Sequence, residues 1–403
     1  MPDGIGAAIA WLRTPEAIRE RCGAVFAAAE RGRLEHFAYR PEGMPSLARF
    51  VAGVIRDNYP TLDVPYHSRW RHFSVGGRDR WAALKARLGA SPQEIARVRF
   101  DLAVTSVLLD AGAGTAWRYR EPASGETFGR SEGLAVASFD LFAAGAFSSV
   151  SGQPFRADAD ALARFSVEQL EAGFQVTRAN PLVGLAGRTE LLRRLGAALH
   201  TAPDLFGHPP RVGHLFDHLA AMKESQAGDV LAALLRGLGP IWPGRIALDG
   251  VNLGDVWRHP AAGGTGPGAG LVPFHKLSQW LAYSLIEPLD EAGWAVAGLG
   301  QLTGLPEYRN GGLFIDGGVL VPKHDHVLAL RHPVESEIVV EWRALTVVLL
   351  DRLATLIRAE LGCDLALAKI LEGGTWSAGR RLALERRADG SPPIAVDSDG
   401  TVF

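Results

Sequence analysis

A carboxylate, a phenol and a guanidinium stand in consecutive positions at Glu307-Tyr308-Arg309, inside the run Leu302-Thr303-Gly304-Leu305-Pro306-Glu307-Tyr308-Arg309-Asn310-Gly311-Gly312. Pro306 and the flanking glycines predict a short turn. A carboxylate held in such a turn beside Tyr308 and Arg309 can be desolvated and oriented, which is how a carboxyl group is prepared for acid, base or electrostatic catalysis. The plainer reading is a surface pair between Glu307 and Arg309.

Other polar-aromatic clusters are spread along the chain. Tyr66-His67-Ser68-Arg69-Trp70-Arg71-His72 sets Arg69 and Arg71 two residues apart around Trp70. Planar guanidinium forks suit phosphate or carboxylate, and a surface loop pinned by the indole is the alternative. Asp249, Asp255, Trp257, Arg258 and His259 form a mixture that fits a pocket wall or a salt-bridged surface. The glycine-rich stretch 263–270 precedes Phe274-His275-Lys276-Leu277-Ser278-Gln279-Trp280. It lacks the spacing of a nucleotide-triphosphate loop, so Lys276 is left as a cation on the first turn of an apolar helix. Glu337, Glu341 and Arg343 open a long helix, with the two glutamates one turn apart on one face, placed to orient a site residue or to favour the helix N-terminus.

Three further motifs are weaker. His324 and His326 flank Asp325, but no third or fourth ligand has an identifiable motif, so no metal is expected. Gly129-Arg130-Ser131-Glu132-Gly133 matches the pattern of a nucleophile elbow. That turn needs an apolar strand before the serine, whereas residues 121–128 are mostly polar and contain Pro122 and Gly125. Asn180-Pro181-Leu182-Val183-Gly184-Leu185-Ala186-Gly187-Arg188 has a glycine turn like that of a helix-hairpin-helix motif, or of an ordinary interhelical connection.

The elements that must carry these residues are mainly helices. Thr14-Pro15 predicts a helix start, with Ile18, Cys22, Val25 and Phe26 on one face. Ser91, Pro92 and Glu94 predict a capping box and a helix running to Gly112, whose glycine would end it. Further helices are expected over 160–173, 189–200, 213–238, 277–292 and 341–362. Short β-like pieces are expected at 312–321 and 393–403, and loops at 120–133, 202–211 and 261–270. The expectation is one integrated α-rich domain over residues 1–403, with room for two lobes and a ligand site between them.

Composition bounds the function. Forty-two Lys and Arg against 44 Asp and Glu give a formal charge of −2, so no overall basic field is available for nucleic acid or an anionic membrane, and any cationic site must be local. Cys22 and Cys363 lie far apart, which suits a reducing compartment. Neither a signal peptide nor an apolar run of the roughly 18–20 residues needed to span a bilayer is legible, so a cytoplasmic protein is expected.

Taken in order, the segments YHSRWRHF at Tyr66, LLDAGAGTAWRY at Leu108, SEGLAVASF at Ser131, NPLVGLAGR at Asn180, LGDVWRHP at Leu253, LVPFHKLSQWLAYSL at Leu271, LTGLPEYRNGGL at Leu302, VEWRALTV at Val340, LEGGTWSAGR at Leu371 and SDGTVF at Ser398 resemble the uracil-catabolism protein family of bacteria and fungi, long catalogued as a domain of unknown function. The resemblance covers nearly the whole chain. It implies a place at the N-ribosylurea stage of a pyrimidine-degrading route, and cleavage of the ribose–urea N-glycosidic bond on the 5′-phosphate. LPEYR at Leu305 and VEWRALT at Val340 are also similar to segments of the queuosine-nucleotide salvage glycosylases, which implies a helix-hairpin-helix glycosylase-like core with small β hairpins. In that group an acidic residue before Tyr-Arg serves the glycosidic chemistry; here the position is Glu307 rather than Asp.

On that resemblance, Glu307 would stabilise charge at the anomeric carbon and take a proton from water, while Asp249, His275 or Tyr308 would protonate the leaving urea. Arg69, Arg71, Lys276 and Arg343 would hold the phosphate, with Arg309 and Gln279 among the substrate contacts. Trp70, Trp257 or Trp280 would wall the sugar or urea. The partner expected is a small ribosyl substrate, without cofactor, metal, nucleic acid or membrane. The alternatives are a serine esterase or amidase using Ser131, or a non-catalytic metabolite-binding protein of the same route.

Overall fold

The computed structural model describes residues 4–110, 112–114, 116–222, 224–243 and 245–397. Asp3, Ala111 and the SDGTVF stretch therefore lie outside the described residues. The main helices are, in chain order, α1 (Pro15–Glu30), α2 (Met44–Asn58), α3 (Pro92–Leu108), α4 (Arg130–Ala143), α5 (Leu185–Thr201), α6 (Ala227–Leu238), α7 (Lys276–Glu291), α8 (Tyr308–Asp316), α9 (Glu337–Leu361) and α10 (Trp376–Arg386). Strands are two or three residues long: β1 (Phe37–Tyr39), β2 (Arg118–Arg120), β3 (Thr127–Gly129), β4 (Ala247–Leu248), β5 (Val251–Asn252), β6 (Val256–Arg258), β7 (Leu271–Pro273), β8 (Leu320–Pro322), β9 (Arg331–Pro333) and β10 (Ala395–Asp397). Among the described residues they form only two-stranded sheets: β1 with β8, β2 with β3, β4 with β5 and β6 with β7 antiparallel, β9 with β10 parallel. The fold is mainly α with small β additions, and none of its described helices is long and apolar enough to cross a membrane.

The chain divides into two compact units. Among the described residues, the first contains 4–67, 245–279 and 298–397, and the second those within 68–243 and 280–297.

The spine of the first unit is α9, packed against α1 and α2. Ser336 caps it by accepting from the Val339 amide at 3.4 Å. Leu345, Leu349, Leu350, Leu353 and Ile357 are fully buried along it. At about 1.5–3 kcal/mol for each buried aliphatic side chain, this ladder offsets the cost of sinking Glu341 and Arg343 into the same helix. Helix α1 starts as its residues require: Thr14 accepts from the Ala17 amide at 3.1 Å, Pro15 occupies the first position, and Ile18, Cys22, Val25 and Phe26 are buried.

In the second unit α3 is almost wholly buried from Ala96 to Leu108. It ends before the expected Gly112 because Arg188, from α5, draws the carbonyls of Leu109 and Gly112 out of helical register, the second at 2.9 Å. Ser91 accepts from the Glu94 amide at 3.2 Å, but the Glu94 carboxylate turns to Arg97 and Arg211 instead of closing a capping box.

Three other expectations are corrected. The single helix read over 160–173 is two, Ala159–Ala163 and Val167–Gly173, because Ser166 and Gln169 form a capping box in mid-run. The helix read over 213–238 breaks for the same reason at Gln226 and Asp229, where α6 begins. The β-like piece at 312–321 is mostly α8, and only Leu320–Pro322 is strand; Gly311 and Gly312 lie inside a helix that Glu307 caps.

Gly196 shows how closely α5 is packed. A Cβ there would stand 2.4 Å from the Ala163 amide nitrogen and 2.7 Å from the Ala159 carbonyl. Neither backbone atom can rotate away, so Gly196→Ala should lower the unfolding free energy by about 1–3 kcal/mol. Urea denaturation of the variant beside the parent checks this.

Candidate active site

The first unit gathers most of the chemical residues around one buried ion pair. Arg343 Nη1 and Nη2 each donate to Asp255, at 2.8 Å. Asp255 also accepts from Trp257 Nε1 at 2.6 Å and from the Lys276 amide at 3.0 Å, so its carboxylate caps α7 while holding α9. Burial opposes ionisation of Asp255, but the Arg343 charge and these hydrogen bonds overcome it and keep the carboxyl well below the usual range. The Arg343 guanidinium lies 4.2 Å from the Phe274 ring centroid, and its Nε donates to the Pro306 carbonyl at 3.3 Å. That last bond fixes the residue before Glu307.

Glu307 is the N-cap of α8 and is 8% exposed. Its Oε2 accepts from the Arg309 amide at 2.9 Å and its Oε1 from the Asn310 amide at 2.7 Å. The carboxylate is thus oriented by backbone, with negative charge favoured by the helix start. Asn310 is fully buried and donates from Nδ2 to the Leu305 carbonyl at 3.1 Å, tightening the same turn. Arg309 lies with its guanidinium 4.1 Å from the Trp376 ring centroid and donates from Nε to the Tyr308 hydroxyl at 3.2 Å. Glu307 is a buried helix cap and Arg309 is stacked on an indole, in place of the solvent-exposed pair of the plainer reading.

The remaining residues of this unit support the turn. Gln279 is buried and exchanges hydrogen bonds with Thr303, donating to its hydroxyl at 2.6 Å and accepting from its amide at 2.8 Å. It is a strut between the start of α7 and the segment leading to Glu307. His275 has a positive φ of 47°. Its Nε2 donates to the Leu12 carbonyl at 2.9 Å, and burial lowers its pKa, so a neutral imidazole is held in the core. Lys276 is half-buried on the first turn of α7. Asp249 is exposed in the turn between β4 and β5 with φ 48°, a conformation that Asp tolerates before Gly250. As a candidate proton donor it is corrected to a turn residue.

The H-x-H pair stays together: the His324 and His326 ring centroids are 5.8 Å apart, and His324 Nε2 lies 3.0 Å from His36 Nδ1. Glu341 accepts from the His36 and Phe37 amides, at 3.3 and 2.9 Å, which locks β1 onto α9. Its Oε2 stands 3.5 Å from His259 Nε2, and Glu337 is within 3.9 Å of the same nitrogen. His259 Nδ1 accepts from the Ala261 amide at 3.1 Å, so the proton of a neutral ring is on Nε2, the nitrogen that faces the two carboxylates.

In the second unit, the guanidinium groups expected to hold phosphate are committed to carboxylates. Arg69 is fully buried, 3.0 Å from Asp110 and 2.7 Å from the Ser106 hydroxyl, with the Trp280 ring centroid 5.7 Å away. Arg71 pairs with Glu287 at 2.8 Å. Trp70 donates to the Ser284 carbonyl at 2.7 Å and carries the Arg99 guanidinium 4.0 Å from its ring centroid. Arg69, Arg71 and Arg343, three of the cations expected to hold the phosphate, are thus each paired with a carboxylate. Ser131 is on the first turn of α4, directly after β3, so a strand and helix do flank it. The positive φ, 53°, falls on Arg130 instead of the serine, which is not the strained nucleophile of an elbow.

Asp255 and Trp376 are the site residues that local reading underweights, because their partners are 88 and 67 positions away. Only a long-range constraint would have exposed them.

Comparison with known proteins is consistent along the whole length. The family described as "Protein of unknown function (DUF1688)" matches residues 11–403. "Uracil catabolism protein 4" of Lachancea kluyveri is 39% identical over 433 residues, covering 98% of this chain and 99% of that protein. "Protein urg3" of Schizosaccharomyces pombe is 40% identical over 407 residues, again covering 98% and 99%.

The buried pair carries a stability prediction. Asp255→Asn leaves the Arg343 charge without its counter-ion and should cost about 3–5 kcal/mol, part of which Arg343→Met in the same chain should restore. Because the folded-state pKa of Asp255 is depressed, its contribution is complete above the unfolded value of about 3.9 and is lost as pH falls through the folded one. Unfolding curves taken at descending pH should therefore be flatter for the double variant than for the parent.

Proposed function

We propose that this chain, which belongs to the DUF1688 family, is an N-ribosyl hydrolase of uracil catabolism that cleaves ribosylurea, as its 5′-phosphate, to urea and ribose 5-phosphate. The family assignment and the full-length identity to "Uracil catabolism protein 4" and "Protein urg3" support the place in uracil catabolism. One observation carries the reaction type: Glu307 is an 8% exposed carboxylate with both oxygens aligned by the Arg309 and Asn310 amides.

Breaking the bond between a ribosyl C1 and nitrogen develops positive charge on the sugar before water is fully bonded. A carboxylate whose orientation is already fixed stabilises that charge without reorganising when it appears. Each Glu307 oxygen keeps a second lone-pair direction beyond its amide bond, so the same group can accept a proton from the attacking water. Arg309, stacked on Trp376, is the cation assigned to the phosphate, and Trp376 the aromatic wall assigned to the ribose. The serine-hydrolase alternative loses support from the helical, unstrained position of Ser131.

The decisive measurement is direct. Purified protein incubated with ribosylurea 5′-phosphate should release urea and ribose 5-phosphate in equal amounts, and a folded sample that yields no urea rejects the hydrolase. Glu307→Gln keeps a capping acceptor but removes the charge, so kcat should fall by roughly 10²-fold or more while the thermal midpoint stays close to that of the parent.

A further inference from the structure

The hydrolase reading leaves one chemical demand open. Urea departs poorly as an anion, so its nitrogen must receive a proton as the C1–N bond breaks. Of the donors suggested by sequence, His275 Nε2 is bonded to the Leu12 carbonyl and Asp249 lies in an exposed turn, while the Tyr308 hydroxyl accepts from Arg309 and keeps its own proton.

The unit that holds Glu307 also contains a buried imidazole–carboxylate pair. His67 is 5% exposed, and its Nδ1 lies 2.7 Å from Glu372 Oε2. The Glu372 side chain is itself only 16% exposed. The His67 ring centroid is 6.1 Å from that of Trp376, the same indole on which Arg309 is stacked at 4.1 Å. The pair and the Glu307 turn therefore converge on one aromatic side chain.

The backbone explains why Glu372 faces His67. Residues Leu371–Thr375 form a π-helical turn between Leu367–Ile370 and α10, and Glu372 sits inside it. Such a turn inserts an extra residue and re-aims the side chains within it. Gly373 and Gly374 let it lie against the chain leading to His67: a Cβ on Gly373 would stand 2.9 Å from Val64 Cγ1, and one on Gly374 would stand 2.7 Å from Val51 Cγ1. The carbonyl of Ala368 then accepts from the His67 amide at 2.9 Å, setting the base of the imidazole.

We propose that His67 is the general acid that protonates the departing urea, and that Glu372 is its positioning residue. This rests on the N-ribosyl hydrolase reading. An ionised Glu372 can only accept, which assigns a proton to Nδ1 and makes Nε2 the transferring atom. In the step, the C1–N electron pair goes to nitrogen, which takes the proton from His67 Nε2. Water oxygen bonds to C1 and gives one proton to Glu307, which then releases it to solvent, while solvent returns one proton to His67. The net change is one water consumed, one urea and one ribose phosphate formed.

The test compares two leaving groups. Kinetics are measured for the parent, His67→Gln and Glu372→Gln on ribosylurea 5′-phosphate and on p-nitrophenyl ribofuranoside 5-phosphate, whose phenolate departs without a proton. His67→Gln should lose about 10²- to 10⁴-fold in kcat on the ureide and only a few-fold on the nitrophenyl substrate. Glu372→Gln should show the same asymmetry, smaller, with KM little changed. Equal losses on both substrates in a folded variant, or a parent-like rate on the ureide, overturn the assignment while leaving the hydrolase intact. A parent inactive on the ureide overturns the hydrolase, and this assignment with it. If His67→Gln does not fold, the Glu372→Gln comparison decides; if the parent does not turn over the nitrophenyl substrate, the alkaline limb of kcat/KM decides, present in the parent and abolished in His67→Gln if the proposal holds.

Discussion

The buried pair of Asp255 and Arg343 is the constraint on which the first unit is built. Two charges removed from water are tolerated only when nearly every hydrogen-bonding direction is used. Asp255 accepts from two guanidinium nitrogens, the Trp257 indole and the Lys276 amide. Each partner belongs to a different stretch of chain, so satisfying one carboxylate fixes α9, the strand β6 and the start of α7 together. The guanidinium Nε–H is directed at the Pro306 carbonyl. Electrostatic necessity in the core thereby sets the backbone from which Glu307 projects. A hydrophobic pair of equal volume would pack as well but would leave that carbonyl without its donor.

The consequence is a division of labour between two carboxylates. Glu307 is bonded to amides at a helix start, a setting that fixes the direction of both its oxygens. Glu372 faces an imidazole, a setting in which negative charge makes its partner a better proton carrier. A sugar cation needs the first kind of neighbour and a leaving amide nitrogen needs the second. The neighbours of the two carboxylates, Arg309 and His67, both lie against Trp376, with the Arg309 guanidinium 4.1 Å and the His67 ring centroid 6.1 Å from the indole centroid.

The helices were largely legible because their signals are local. Thr14-Pro15 and the Ile18, Cys22, Val25 and Phe26 face specify α1 without reference to the rest of the chain. The breaks at Ser166 and Gln226 were also written locally, as capping boxes, but apolar spacing continues through them and masked the stop. The misread of 312–321 has the same root: Gly311, Gly312 and Gly317 suggest a turn, whereas the cap at Glu307 outweighs them. For the candidate site, residue types were visible and pairings were not. Arg69, Arg71 and Arg343 look alike in sequence to phosphate-binding arginines, and only the fold discloses that Asp110, Glu287 and Asp255 claim them.

That reassignment narrows where a phosphate can be held. With a formal charge of −2 there is no diffuse field to attract an anion, so recognition must come from particular cations. A guanidinium bidentate to a buried carboxylate contributes little net charge to a ligand, because its field is cancelled within a few ångströms. Arg309 is held differently: its guanidinium lies against the Trp376 ring and its Nε donates to the Tyr308 hydroxyl. An aromatic platform orients such a charge while leaving its sign intact. The same argument explains why Tyr308 and Arg309 directly follow the capping glutamate. The helix start that steadies the carboxylate of Glu307 presents the Arg309 guanidinium two residues later, and the substrate proposed here carries, along a single sugar, a developing positive charge for the first and a phosphate for the second.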